Sequence, residues 1–227
     1  VDAVTGEASV AAGVARTARM LARMGLVEGF GHVSARAGED AFALTSVDPL
    51  CAQDETTVLL LDLDAQVRGG DASVCPLEAP LHAAIYRRRP DVRAICRTHS
   101  RHAAAWACRR QAPPQAHGLG GLSGAVAVHD EIELVATREQ AEAASAALGA
   151  ASCLLLAANG ALSVGGDLPE AIVRAWYLEE RSELATLAAD APPIASESAL
   201  RRERHHAAEA RRAWRWLDAR FGAEDGR

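Results

Sequence analysis

Apolar residues recur at helical spacing near the start of the chain, where Val10, Val14, Ala18 and Leu21 share one face of residues 9–24. Gly25 follows at the position where helices commonly end in the left-handed conformation, so the pattern predicts a first helix that stops there. Residues 41–45 and 58–61 are short apolar runs bounded by turn formers, the second leading into Asp62-Leu63-Asp64 and a Gly69-Gly70 turn, and they predict two strands. Over 78–88, Leu81, Ala84 and Ile85 fall on one face and Pro90 ends the run, which predicts a helix followed by a buried strand over 92–98. Ser100 then stands as N-cap of a helix to about residue 109. Residues 111–123 are rich in Pro and Gly and form a long loop, of the kind that often carries function. Beyond it the pattern gives a strand at 125–128, a helix at 138–148 and strands at 153–157 and 162–164. Asp167-Leu168-Pro169-Glu170 has capping-box spacing and opens a helix to about 188. A linker over 189–198 with Pro192-Pro193 leads to a last helix over 199–221, and no internal repeat is visible. Helices and strands interleave, yet several strands follow one another directly. That order predicts an α/β fold, an α/β/α sandwich around a central, mainly antiparallel or mixed sheet, rather than a doubly wound parallel one.

Composition bounds the picture. With 227 residues, 49% hydrophobic and 24% charged, the chain can bury one good core, so residues 1–190 are expected to form one domain and 191–227 a linker and C-terminal helix. The formal net charge is −6, while residues 199–227 hold eight Arg against five acidic residues, an acidic body with a mildly basic tail that lacks the basic footprint of a nucleic-acid partner. Lysine is absent, and that absence carries no functional reading. Five scattered cysteines form no C-x-x-C pair, which fits a reducing compartment better than a disulfide scaffold. The longest apolar run, 153–158, is too short to cross a bilayer, and Asp2 and Glu7 stand where a signal peptide would be basic. The expectation is a soluble cytoplasmic protein without a membrane partner.

Chemistry concentrates at Arg97-Thr98-His99-Ser100, where the strand over 92–98 ends. Residues at i and i+2 of a strand point the same way, so Arg97 and His99 are expected to project together into a cleft. This segment resembles the class II aldolase/adducin family, whose members carry His-Thr-His-Ser here and hold a divalent metal with both histidines. The resemblance extends, in the family's order, through Gly31-His32-Val33-Ser34-Ala35-Arg36, through Pro76-Leu77-Glu78, and through Ala158-Asn159-Gly160-Ala161, and covers roughly residues 8–188. It implies the same sandwich architecture, an acid/base role for Glu78, and assembly as a homotetramer.

The resemblance also marks departures. The three metal-binding histidines of the family map onto Arg97, His99 and Asn159, and an arginine is permanently charged and is no ligand. Either the site has been rebuilt or it has been lost. Rebuilding around His99 could draw on Glu78, on His117 from the glycine-rich loop, on His102 or on His32, with His117 the first choice, and the implied cofactor is a divalent ion such as Zn, Mn or Fe. Arg97 has two readings: a structural ion pair, or a fork that binds a substrate carboxylate. Glu78 also has a plain structural reading, because a carboxylate is favoured at any helix N-terminus. Where sugar-phosphate members bind phosphate, this chain has His32, Val47-Asp48 and Pro76-Leu77, which favours substrates without phosphate. His32, Ser46, Arg97 and Asn159 are therefore the substrate-binding candidates and a small carboxylic acid the expected substrate. The functional expectation is a carbon–carbon lyase that decarboxylates or performs aldol cleavage through an enolate-like intermediate. An iron-dependent oxygenase and a non-catalytic adducin-like module are the alternatives on the same fold.

Overall fold

The computed structural model describes residues 2–223, with side chains from residue 9 onward. Its elements are α1 (Asp2–Arg23), β1 (His32–Arg36), β2 (Ala41–Leu44), β3 (Leu59–Asp62), β4 (Val67–Gly69), α2 (Ala79–Arg88), β5 (Ala94–Thr98), α3 (Arg101–Cys108), β6 (Val126–His129), α4 (Arg138–Leu148), β7 (Cys153–Leu156), β8 (Ala161–Gly165), α5 (Leu168–Leu187) and α6 (Ser196–Phe221). The strands form one sheet in the order β4-β3-β2-β1-β5-β8-β7-β6. Every neighbouring pair is antiparallel except β6 with β7.

Strand alternation divides the core into two layers. Ala94 and Cys96 of β5 face the layer of α1, α5 and α6, where Val14, Leu21, Ile172 and Leu217 pack. Ile95, with Leu162 and Val164 of β8, faces α2 and α4, against Leu81, Ile85, Ala144 and Leu148. Each fully buried aliphatic side chain of this kind contributes about 1.5–3 kcal/mol. The outcome is the expected α/β/α sandwich. Because Arg97 lies two residues beyond Ile95, it points into the α2 layer, a guanidinium among aliphatic neighbours.

Several local expectations need correction. Residues 32–36, for which the pattern predicts no element, form the strand β1, and its polar residues His32, Ser34 and Arg36 hid the signal. β4 is a three-residue edge strand beyond Asp62-Leu63-Asp64. Ser100 occupies the N-cap of α3 but makes no side-chain cap bond. Glu179 of α5 caps that helix instead, accepting the amides of His102 and Ala103 at 3.0 and 2.9 Å. Part of the apolar face of α6 is covered within the chain, where Ala213 and Leu217 are buried, while Trp216 stays 45% exposed. Trp176, Trp216 and Phe221 form an aromatic cluster beside this face.

Candidate active site

The central strands and the start of α2 bring the key polar side chains together. β1 and β5 are antiparallel neighbours in a register that sets His32 opposite Arg97, and Arg97 lies opposite Leu162 of β8 on its other side. α2 begins beneath this face. Its N-cap is Glu78, yet the Glu78 carboxylate makes no cap bond to its own helix. By contrast, Thr137 and Asp167 cap α4 and α5 with their side chains. Glu78 instead faces Arg97, with Oε2 3.4 Å from Nε and Oε1 3.4 Å from Nη2, and its Oε2 lies 3.9 Å from His32 Nδ1. The Glu78 side chain thus serves an ion pair rather than a cap bond.

Arg97 is 0% exposed. Its Nη1 donates to the carbonyls of Thr98 (2.9 Å) and Ala161 (3.3 Å), and its Nη2 to the carbonyl of Asn159 (2.6 Å). The expectation of a fork for a substrate carboxylate is corrected, because both Nη groups are turned inward and engaged. Physically, a guanidinium on the apolar side of a sheet must satisfy its donors within the protein, since an unpaired buried charge costs several kcal/mol.

The turn between β7 and β8 supplies part of that satisfaction. Gly160 has φ +79°, and a Cβ there would meet the Thr98 carbonyl at 2.5 Å, so only glycine lets this turn approach β5. The contribution of Asn159 to Arg97 comes from its main-chain carbonyl. Among the described residues its side chain makes no hydrogen bond, which leaves it available to a substrate.

His99 lies just past the end of β5, its amide bonded to the Leu26 carbonyl. His99 and Arg97 meet over Gly160, whose Cβ position is 3.0 Å from both Arg97 Nη1 and His99 Nδ1. The ring of Phe30 packs edge-on against His99 at 6.3 Å between centroids. Burial, reinforced by the Arg97 charge, lowers the His99 pKa to about 4 and that of fully enclosed His82 to about 3. Burial also holds His32 well below the usual histidine range, with His82, Arg97 and His99 adding repulsion. Three neutral imidazoles thus surround one fixed positive charge.

Sequence reasoning undervalued His82 and missed Ser34, Tyr86 and Phe30. His82 Nδ1 pairs with Ser34 Oγ at 2.7 Å, and Ser34 Oγ with the Tyr86 hydroxyl at 2.8 Å, a buried relay behind His32. The i, i+2 spacing of His32 and Ser34 was the available signal, once residues 32–36 are read as a strand. Among the described residues, His32 Nδ1, His82 Nε2 and Arg97 Nε are buried without hydrogen-bond partners. Such orphans cost about 1–3 kcal/mol each and cluster where a ligand's polar groups can meet them.

Other candidates lie elsewhere or are engaged. Ser46 is buried, its hydroxyl donating to Asp48 at 2.9 Å and accepting from Gln53 at 3.0 Å, so it braces its own loop. His102 pairs with Glu179 at 2.8 Å and His117 with Glu180 at 3.0 Å, both partners on α5 across the sheet from Glu78. His99, His102 and His117 do not converge, and among the described residues no three His, Cys, Asp or Glu side chains are grouped to hold a metal. The ligand set of His99, His102 and His117 is therefore not assembled, and the site residues fit a divalent ion poorly: acidic residues of α5 hold His102 and His117, Glu78 is paired with Arg97, and the same guanidinium flanks His99.

Residues 12–186 match the model of the class II aldolase and adducin N-terminal domain. The chain belongs to that family. It is 29% identical over 202 residues to 3,4-dihydroxyphthalate decarboxylase of Arthrobacter keyseri, covering 76% of this chain and 75% of that one. Among solved structures, an aldolase II superfamily protein from Pseudomonas syringae superposes with a TM-score of 0.80 at 23% identity, covering 95% of this chain and 92% of that one. L-fuculose 1-phosphate aldolase from Glaciozyma antarctica PI12 superposes with a TM-score of 0.79 at 19% identity, covering 95% and 91%. The structural likenesses, at these identities, establish the fold alone. No helix among the described residues of this class II aldolase-family chain is long and apolar enough to cross a membrane.

Proposed function

We propose that this chain is a carbon–carbon lyase that decarboxylates a hydroxyaryl or β-keto carboxylic acid at Glu78. The observation that carries the reading is the Glu78 carboxylate, freed from capping its own helix and held against Arg97 beside three neutral histidines. The decarboxylase relative supports the reaction class and an aromatic acid as substrate. Apolar side chains border the site where a phosphate-binding family member would need hydroxyls. Phe30 is 79% exposed beside His99, Leu77 is 70% exposed next to Glu78, and Val47 is 56% exposed on a loop bonded to Val74. Such a border suits an aromatic ring, with carboxylate and hydroxyl groups reaching the polar interior.

In the reaction, Glu78 accepts the proton of a substrate hydroxyl and returns it to the carbon that bears the carboxylate. The bond from that carbon to the carboxyl carbon breaks, CO2 leaves, and its electron pair restores the ring or enol. Solvent then reprotonates the oxygen, so the net change is replacement of CO2 by H. A positioned proton-transfer group of this kind is worth roughly 10²–10⁴ in rate. His99 and His32, as neutral imidazoles, and the Asn159 side chain supply hydrogen bonds to the substrate's oxygens. Homotetrameric assembly belongs to the same proposal. The 45% exposed Trp216, in its aromatic cluster, offers a surface that a second copy can cover.

The test is a substrate panel of hydroxyaryl acids, β-keto acids and ketose phosphates, run in air and under nitrogen with CO2 and aldehyde followed separately. The proposal expects CO2 from aromatic or β-keto acids in both atmospheres. Aldehyde from a ketose phosphate would support aldol cleavage instead, and a strict need for O2 would support the oxygenase reading.

A further inference from the structure

The Arg97 guanidinium has surroundings that resemble a cation site. Three main-chain carbonyls, from Thr98, Asn159 and Ala161, and both oxygens of Glu78 lie around it, within 2.6–3.4 Å of its nitrogens. These oxygens come from β5, from β8, from the turn before it, and from the N-terminus of α2, so separate parts of the fold converge on one charge. The convergence is built: the turn reaches β5 only because Gly160 lacks a Cβ. With no exposed surface, the guanidinium cannot leave this cage without breaking it.

The same geometry bears on the divalent metal that the family implies. His99 Nδ1 and Arg97 Nη1 both border Gly160, so an ion bound to that imidazole would sit beside a fixed positive charge in a poorly solvated pocket. Glu78, the nearest acidic side chain, is already paired with the guanidinium. We propose that the Arg97 guanidinium is the resident cation of this site, a positioning residue that holds Glu78 and the strand end in place, and that the working protein carries no divalent metal. The inference rests on the reading of this region as the active site, but metal content is measured whether or not the proposed decarboxylation is found.

The experiment takes the full chain purified without chelator or affinity metal. Elemental analysis should find Mn, Fe and Zn well below one per chain, and titration with Zn2+ or Mn2+ alone should give no stoichiometric binding at the site. Dialysis against a chelator should leave the melting temperature unchanged. A paired variant, R97H with N159H, removes the guanidinium and sets two imidazoles beside His99, and it should take up about one Zn2+ per chain. About one metal per chain in the unaltered protein, removed by chelator with a fall in melting temperature, would overturn the proposal. A kinetic arm tests the positioning role. Arg97→Met should lower kcat at least about tenfold with KM little changed, and Arg97→Lys, which keeps the charge, should recover part of the loss. An Arg97→Met protein that melts normally and retains full kcat would also overturn it.

Discussion

Glu78 stands at the N-terminus of a helix, yet its carboxylate bonds none of that helix's amides and faces Arg97 instead, which is why the proposal gives it the proton-transfer role. The residues around it explain a second property, acid sensitivity. In an unfolded chain a histidine titrates near pH 6.5, but folded His82 does so only at about 3, with His32 also strongly depressed. Between these values the unfolded chain binds protons that the folded one does not, so stability is full above about pH 6.5 and falls as pH drops through that window. His82 alone should remove about 1 kcal/mol or more per pH unit below pH 6. Urea midpoints at pH 7, 6 and 5 check this, and a midpoint unchanged between 7 and 5 would contradict it. Arg97 and His99 were legible as special in the sequence because they break or end an apolar strand, and Glu78 only through the family resemblance. The idleness of His102 and His117 toward Glu78 was not legible, because their partners Glu179 and Glu180 lie more than sixty residues away on α5.

Among the elements, the turn over 157–160 and strand β5 act as one device, since the turn's Asn159 carbonyl completes the Arg97 cage. Gly160→Ala should therefore be costly twice over, through the left-handed backbone and through the 2.5 Å approach to Thr98. We expect a loss of about 2 kcal/mol or more, with lyase activity falling further than stability because the cage shifts. Thermal melts and kcat measured together decide it, and a variant indistinguishable from the parent in both would refute the role given to the turn. Helix α4 coincides with its predicted span because its apolar spacing, Thr137 cap and terminal Gly149 all agree. β1 escaped the pattern because its buried face carries His32 and Ser34, which serve the site, and β4 because three residues are too few to show alternation.

Over the whole molecule, the sheet's central strands and α2 meet where the chemistry is proposed, while α6 closes the opposite layer by burying Ala213 and Leu217 against α1 and α5. Helix α6 thus packs into the core through Ala213 and Leu217. Assembly then falls to surfaces such as the one around Trp216. Light scattering at micromolar concentration should give a mass of four chains, and a stable monomer would contradict the tetramer. The central claim is that Glu78 drives loss of CO2 from a carboxylic acid. It is tested most directly by measuring CO2 release from the best acid of the panel with the parent protein and with Glu78→Gln, which preserves size and shape. The account predicts one CO2 per substrate consumed by the parent and a kcat lower by roughly 10²–10⁴ in Glu78→Gln, with the melt preserved. Equal CO2 release by both proteins would contradict it.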